Sequence, residues 1–382
     1  MRWLFDPRLT NEAFGDPGVY VDFRDERRAL LFDLGDIAAL PPRKLMRLSH
    51  VFVTHTHMDH FAGFDRLLAV VLGRKAQLTL FGGPDFIAQV EHKLRAYTWN
   101  VVYRYDELAL DVCEIGIDGR GQCARFSTRT NFVRESSSSF GLADDVVHDE
   151  AMFRVRARFV DHDIPCLAYV IEEKAHVNVA KDRLDALGVA TGAWLRRLKH
   201  AVLTGASDAT PIELQWRDRD GDHAMTRSVG ELRHLILDVV PGQRIGYATD
   251  LRYTDANVRT LAELFADVDV LFIESVFLDG DAEHGLRKNH LTAGQAGNIA
   301  RLARAKSVKP FHFSPRYEGR EAQLIEQVQA AWSGGRCDDA STKMPACPPA
   351  SPNPPSLAPA AICASATNGT RSRSSRCRKA IR

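Results

Sequence analysis

Val51-Phe52-Val53-Thr54-His55-Thr56-His57-Met58-Asp59-His60 is the stretch on which the reading of this chain turns. A short apolar run of strand character leads directly into three imidazoles and one carboxylate. His55 and His57, two apart on a tight loop, can both face one point, and Asp59 and His60 add a carboxylate and a third imidazole a little further on. Neutral nitrogens together with a hard oxygen suit zinc, and also manganese or iron. Each residue alone has a plainer role, Asp59 as the cap of a helix starting at Phe61 and the histidines as loop residues. All four at this spacing favour a metal site.

Working outward, the same arrangement recurs. Phe153 to Val160 alternates apolar and basic residues as a half-exposed strand does, and Asp161-His162 follows it. Arg244 to Ala248 is a strand followed by Asp250, and His312 falls in a last strand, Pro310 to Phe313. Ligands at the carboxyl ends of separate strands converge on one rim of a sheet, where α/β proteins build their sites. Further strands are expected at Gly18 to Phe23, Arg28 to Phe32, Gln77 to Phe81, Leu167 to Ile171 and Val268 to Ile273. Helical spacing marks Phe61 to Leu72, Phe86 to Tyr97, Ala256 to Phe265 and Ala293 to Ala305. Strands alternating with helices indicate a layered α/β protein with two sheets faced by helices. The expected main domain is 1–335, with 181–235 as an insertion that is helical near Trp194 to Lys199 and otherwise polar and loop-like. From 336 to 382 the sequence turns to Pro, Ala and Ser without periodicity, the composition of a disordered tail.

The 382 residues carry a net charge of only +1. From Cys337 onward seven basic residues stand against two acidic ones, so the rest is mildly acidic and any nucleic acid would have to meet a local basic patch. Four of seven cysteines lie in that tail, and Cys113, Cys123 and Cys166 show no paired spacing, which suggests reduced thiols and a cytoplasmic setting. No secretory signal and no membrane span are expected. His50 is expected to be structural, and His92, His148, His176, His200, His223, His234 and His284 to be solvated. Arg154, Arg156 and Arg158 read as an ordinary solvated face, and Gly82-Gly83-Pro84 as a plain turn.

The order His-X-His-X-Asp-His, Asp-His, Thr-Asp and a distant His resembles the metallo-β-lactamase superfamily, and within it ribonuclease Z, the tRNA 3′-processing endonuclease. Three stretches carry the second likeness: His312-Phe313-Ser314-Pro315-Arg316-Tyr317, Glu274 with Asn289-His290-Leu291-Thr292-Ala293, and Leu187-Gly188-Val189-Ala190-Thr191-Gly192. The resemblance covers about residues 17–330 and implies a four-layer αβ/βα sandwich holding two divalent metal ions, zinc in the first instance. It implies that His55, His57 and His162 bind one metal, that Asp59, His60 and His312 bind the other, and that Asp250 bridges them. Asp33 would support the site, Asp59 would accept a proton from the attacking water, and His290, backed by Glu274, would protonate the leaving oxygen. Arg196, Arg197 and Lys199 match an arm that grips tRNA, without its usual Pro-Lys-Gly-Lys pattern. Ile273-Glu274-Ser275-Val276 stands where the family has His-Glu-Ala-Thr, and the N-terminal Gly-Thr turn is missing. The expected function is metal-dependent endonucleolytic cleavage of RNA, of the tRNA 3′-trailer type. The alternative is a hydrolase of the same fold acting on a small ester, lactone or cyclic phosphodiester. The expected partners are pre-tRNA or a small phosphodiester, no membrane, and a second copy of the chain as an open alternative.

Overall fold

The computed structural model describes residues 3–24, 26–218 and 221–334. Its first sheet runs in sequence order: Phe5–Leu9, Val19–Phe23, Ala29–Phe32, Leu48–Phe52, Gln77–Gly82, Ala109–Ile115, Arg120–Ser127 and Arg134–Gly141. The four strands from Ala29–Phe32 to Ala109–Ile115 pair in parallel. Parallel neighbours need long crossovers, and these carry the helices Phe64–Val71 and Phe86–Arg95. Buried Leu67, Leu68, Val71, Ile87, Val90 and Leu94 seat both helices on the sheet's outer face.

The second sheet has the order Val308–Phe311, Val270–Glu274, Arg244–Ala248, Pro165–Glu173, Phe153–Asp161 and Val146–Asp149. Helices Asp255–Leu264, Ala293–Leu302 and Glu321–Ser333 cover its outer face through a core that includes Leu261, Leu264, Ile299, Leu324 and Val328. Between the sheets lies an aromatic core. Phe52 stacks on Phe32 and Phe81 with ring centres 5.3 and 4.9 Å apart, and the Tyr169 hydroxyl donates to the Val53 carbonyl across the gap at 2.8 Å. Helix, sheet, sheet, helix is the four-layer αβ/βα sandwich that the resemblance implies.

The strands Ala109–Ile115, Arg120–Ser127 and Arg134–Gly141 have no counterpart in the sequence reading. Arg134–Gly141 (RESSSSFG) forms the sheet's edge and is exposed almost throughout, so no buried face leaves a mark on its sequence. The expectation of unpaired cysteines is corrected here as well. Cys113 and Cys123 lie directly opposite in the hairpin and are joined by a disulfide. Ten residues of separation carry no motif, but the hairpin register brings the two together.

Residues expected to be loop-like are also ordered. Between Pro165–Glu173 and Arg244–Ala248, themselves antiparallel neighbours, the chain leaves the sheet on a two-stranded stem, His176–Val179 with Leu237–Val240. Beyond the stem come helices Lys181–Ala186 and Ala193–Leu203, the hairpin Pro211–Asp218 with Gly221–Ser228, and helix Val229–Ile236. Trp194, Leu198, Ile212, Leu214, Leu232 and Ile236 give this insert its own core. Ile212, Leu214 and Trp216 alternate with polar residues as a half-exposed strand does. The tail expected at 336–382 lies outside the described residues.

Candidate metal centre

His57, Asp59 and His60 sit at the start of and within the short helix Met58–Phe61, and the other residues of the site lie at or just beyond the carboxyl ends of strands. Asp33 follows Ala29–Phe32, His55 follows Leu48–Phe52, and His162 follows Phe153–Asp161; Asp250 follows Arg244–Ala248, Glu274 ends Val270–Glu274, and His312 follows Val308–Phe311. His312 is therefore not inside the last strand, as the sequence suggests. The strand stops at Phe311, and His312 adopts a left-handed backbone with φ 59°. Asp33 and Asp250 do the same, at 58° and 57°. Asp and His enter this region more readily than most residues, and such strain concentrates at functional sites. Here the turn directs each side chain away from its strand and into the centre.

One atom organises the geometry. Asp250 Oδ2 faces the Nε2 atoms of His55, His60 and His162 at 3.6, 3.4 and 3.5 Å. Asp59 Oδ2 lies 3.3 Å from His60 Nε2 and 3.6 Å from His312 Nε2. Ligands about 2.1 Å from a shared tetrahedral metal stand about 3.4 Å from each other, so these separations suit a cation between them. Buried His55 Nε2 and His60 Nε2 have no hydrogen-bond partner among the described residues, and an orphaned buried nitrogen is costly unless something binds it. Ligand atoms of His55, His57, His162 and Asp250 group within 4.8 Å, as do those of Asp59, His60 and His312. The residues present therefore fit two metal ions.

The outer contacts fix which nitrogen points inward. His60 Nδ1 donates to Asp33 Oδ2 at 2.9 Å. Asp33 is held in turn by the Thr54 amide at 2.7 Å, the Thr54 hydroxyl at 3.0 Å and the Tyr247 hydroxyl at 2.8 Å. His162 Nδ1 donates to the Asn289 carbonyl at 2.9 Å. Such partners set tautomer and ring orientation in metal sites. Sequence reasoning misses Thr54, Tyr247 and Asn289. Thr54, next to His55, and Asn289, next to His290, carry a local signal, and Tyr247 carries none. Arg252 was missed too; it ties together the loops bearing His162, Asp250 and His290 through Asp163 Oδ1 at 2.7 Å and Asn289 Oδ1 at 2.7 Å.

Burial, reinforced by neighbouring His60, holds the His55 imidazole down to about 2, so its lone pair is available. Burial and His162 lower His57 too. Burial alone would raise Asp59 and Asp250, but the imidazoles around them hold both below the usual carboxylate range. Conversely, burial would lower His60 and His312, and the facing carboxylates, Asp250 foremost, raise both. A divalent cation would answer the same excess of negative charge.

Beside this cluster, His290 Nδ1 donates to Glu274 Oε2 at 2.9 Å, and Glu274 Oε1 accepts from the Leu251 and Leu291 amides at 3.2 and 3.0 Å. Burial would raise Glu274, yet His290 holds it at about 2; burial would lower His290, yet Glu274 raises it. The pair is a carboxylate backing a protonatable imidazole.

The arm residues fall on a helix, as the sequence suggests. Arg196, Arg197 and Lys199 all lie on helix Ala193–Leu203. Arg197 donates to the Glu213 carbonyl at 2.7 Å, tying the helix to the hairpin. Arg196 and Lys199 line a cavity at the root of the insert, together with Leu4, Met152, Glu173 and His176. His176, expected to be solvated, is buried and bonded to Glu173 Oε1 at 2.8 Å. His148, also expected to be solvated, bonds Glu150 Oε1 at 2.7 Å and packs on His50. Arg154 and Arg158 are ion-paired with Glu172 and Asp145.

No family model matches the chain. A ribonuclease Z from Deinococcus radiodurans is 29% identical over 325 residues, which span 82% of this chain and 90% of the relative. A ribonuclease Z from Thermobifida fusca is 35% identical over 221 residues, 56% of this chain and 62% of the relative. Among solved structures, the metallo-beta-lactamase fold protein YhfI from Bacillus subtilis superposes with a TM-score of 0.46 at 16% identity, covering 84% of this chain and 86% of its own. The chain is thus a four-layer αβ/βα sandwich similar in sequence along 82% of its length to a ribonuclease Z.

Proposed function

We propose that this chain is a metal-dependent endoribonuclease that removes the 3′ trailer of tRNA precursors by hydrolysis of one phosphodiester bond. The observation that carries the reading is the single carboxylate oxygen of Asp250 set between three inward-facing imidazole nitrogens at 3.4–3.6 Å. Its likeness to ribonucleases Z supplies the substrate class. His55, His57, His162 and Asp250 would hold one divalent ion, and Asp59, His60, His312 and Asp250 a second, with zinc the best match to the donors and manganese or iron also compatible. When bound, the ions supply Lewis acidity to the phosphoryl group and acidify water at neutral pH.

The chain's own residues handle the protons. Asp59, held anionic by His60 and His312, accepts the proton of the attacking water. His290, raised by Glu274, gives its proton to the departing oxygen as the bond to phosphorus breaks. Glu274 is fixed by two backbone amides and keeps the His290 ring in place. The insert on its two-stranded stem serves as the substrate arm, the protein works in the cytoplasm, and a second copy of the chain is its partner in this reading.

A second reading, hydrolysis of a small phosphodiester or ester, is favoured by the arm itself, because Arg197 is engaged with Glu213 and Arg196 and Lys199 face a cavity. Purified protein offered end-labelled pre-tRNA with a 3′ trailer separates the two. The account expects one internal cut, abolished by a chelator and restored by divalent metal. Intact pre-tRNA alongside hydrolysed bis-p-nitrophenyl phosphate would favour the small-diester reading, and no cleavage of either would reject phosphodiesterase chemistry.

A further inference from the structure

Two cavities flank the metal centre, and they differ in charge. On the His55 side a cavity of about 210 Å³ is bounded by Thr56, Gly83, Pro84, Asp85 and Gln89, with no lysine or arginine among its described lining residues. On the His290 and His312 side a cavity of about 380 Å³ carries Lys288 and Arg316 at its mouth. The larger volume falls in the range of small-ligand pockets, ~300–1,000 Å³.

Its floor is aromatic. Phe277 and Phe313 are buried, and Phe14 packs edge-on against Phe313 with centroids 5.4 Å apart. The Arg316 guanidinium lies over the Phe277 ring, 5.5 Å from its centre, and donates to His284 Nε2 at 3.2 Å. Stacking and that hydrogen bond fix the plane of the guanidinium, whose remaining N–H groups form a fork matched to a phosphate. Lys288 closes helix Ala282–Lys288, two residues before His290. Asp16, the acidic residue on this wall, is engaged by the Asp36 amide at 2.8 Å.

Clustered Arg and Lys take backbone phosphates. We propose that this cavity is a nucleotide subsite for the leaving side of the strand. The nucleotide whose oxygen departs toward His290 occupies the cavity, and Lys288 and Arg316 hold the next phosphate beyond it. This rests on the phosphodiesterase reading above and adds a direction to it: the strand is gripped by charge on the side of the acid, not on the side of His55. The substrate must then continue for at least one further phosphate on the leaving side, which a small ester or lactone lacks.

The test uses single-cut oligoribonucleotides in which one flanking phosphate is replaced by a neutral methylphosphonate, on either the leaving or the opposite side. In the parent protein, neutralising the leaving-side phosphate should lower kcat/KM about tenfold, as expected for losing a charge-assisted contact. The variants K288Q and R316Q should each lose much of that discrimination, while R316K, which keeps the charge, should retain part of it. K288Q changes an exposed helix end, so it keeps the test open should R316Q fold poorly. Equal sensitivity on both sides, or variants that discriminate like the parent, would overturn the subsite while leaving RNA cleavage intact. A parent that hydrolyses bis-p-nitrophenyl phosphate but no oligonucleotide would overturn both the subsite and the RNA reading.

Discussion

Asp250 is the residue on which the centre depends most, since its carboxylate faces three imidazoles from two separate segments, His55 and His60 on one and His162 on the other. Asp250→Ala should therefore empty both metal positions, whereas Asp33→Asn, which weakens only the orientation of His60, should lower metal affinity by ~10–100-fold. Metal titration of the two proteins checks the order; equal losses would mean that Asp33 does more than orient. His290→Ala should behave in the opposite way, keeping its metal while kcat falls ~10²–10⁴-fold. Elemental analysis beside steady-state kinetics tests this, and loss of metal would make His290 a ligand. The seven candidate residues that the structure brings together stood out in the sequence because imidazoles and carboxylates in a local motif, or at strand ends, have few other reasons to recur. Tyr247 was not legible. Its hydroxyl meets Asp33 across 214 residues of chain, and nothing near it in sequence marks a buried donor.

Strands were readable wherever one face is buried and the other is not, as in Phe153–Asp161, or where both are buried, as in Ala29–Phe32. They were unreadable at the sheet edge, where Arg134–Gly141 buries neither face. The hairpin Pro211–Asp218 with Gly221–Ser228 was lost because its charged outer face dominates its composition. Near the edge of the second sheet, Glu150 follows Val146–Asp149 and joins the two sheets. It accepts from Arg28 Nη1 at 2.6 Å and bonds His148 Nε2 at 2.7 Å. Burial would raise its carboxyl, but Arg28 and His148 hold it well below the usual range. A depressed carboxylate stabilises the fold above its unfolded value of about 4.3, and that stability is lost as pH falls below it. Arg28→Gln should therefore lower the melting temperature most near neutral pH, with the gap to the parent narrowing as pH drops through 4. A gap that is constant with pH would show that Arg28 acts through packing on Phe23 and Phe153 instead.

For the molecule as a whole, net charge gives no hint of an RNA partner, so any grip on RNA must be local. The insert is the obvious place, and its two arginines should separate. Arg196→Glu should raise KM for pre-tRNA and reduce the salt slope of binding by about one unit per lost phosphate contact. Arg197→Glu should instead loosen the insert, because it removes the tie to Glu213. If Arg196→Glu leaves both KM and salt dependence unchanged, the arm does not carry RNA. The sandwich was legible from alternating strands and helices and from ligands falling at strand ends; the insert's independent core was not, since Trp194, Ile212 and Ile236 come together only through tertiary packing. The most direct test of the central claim is the metal content of protein purified without chelator and reconstituted with zinc. Seven converging ligands exceed the four of a tetrahedral site, so the account predicts about two metal ions per chain. One ion or fewer after reconstitution would contradict it.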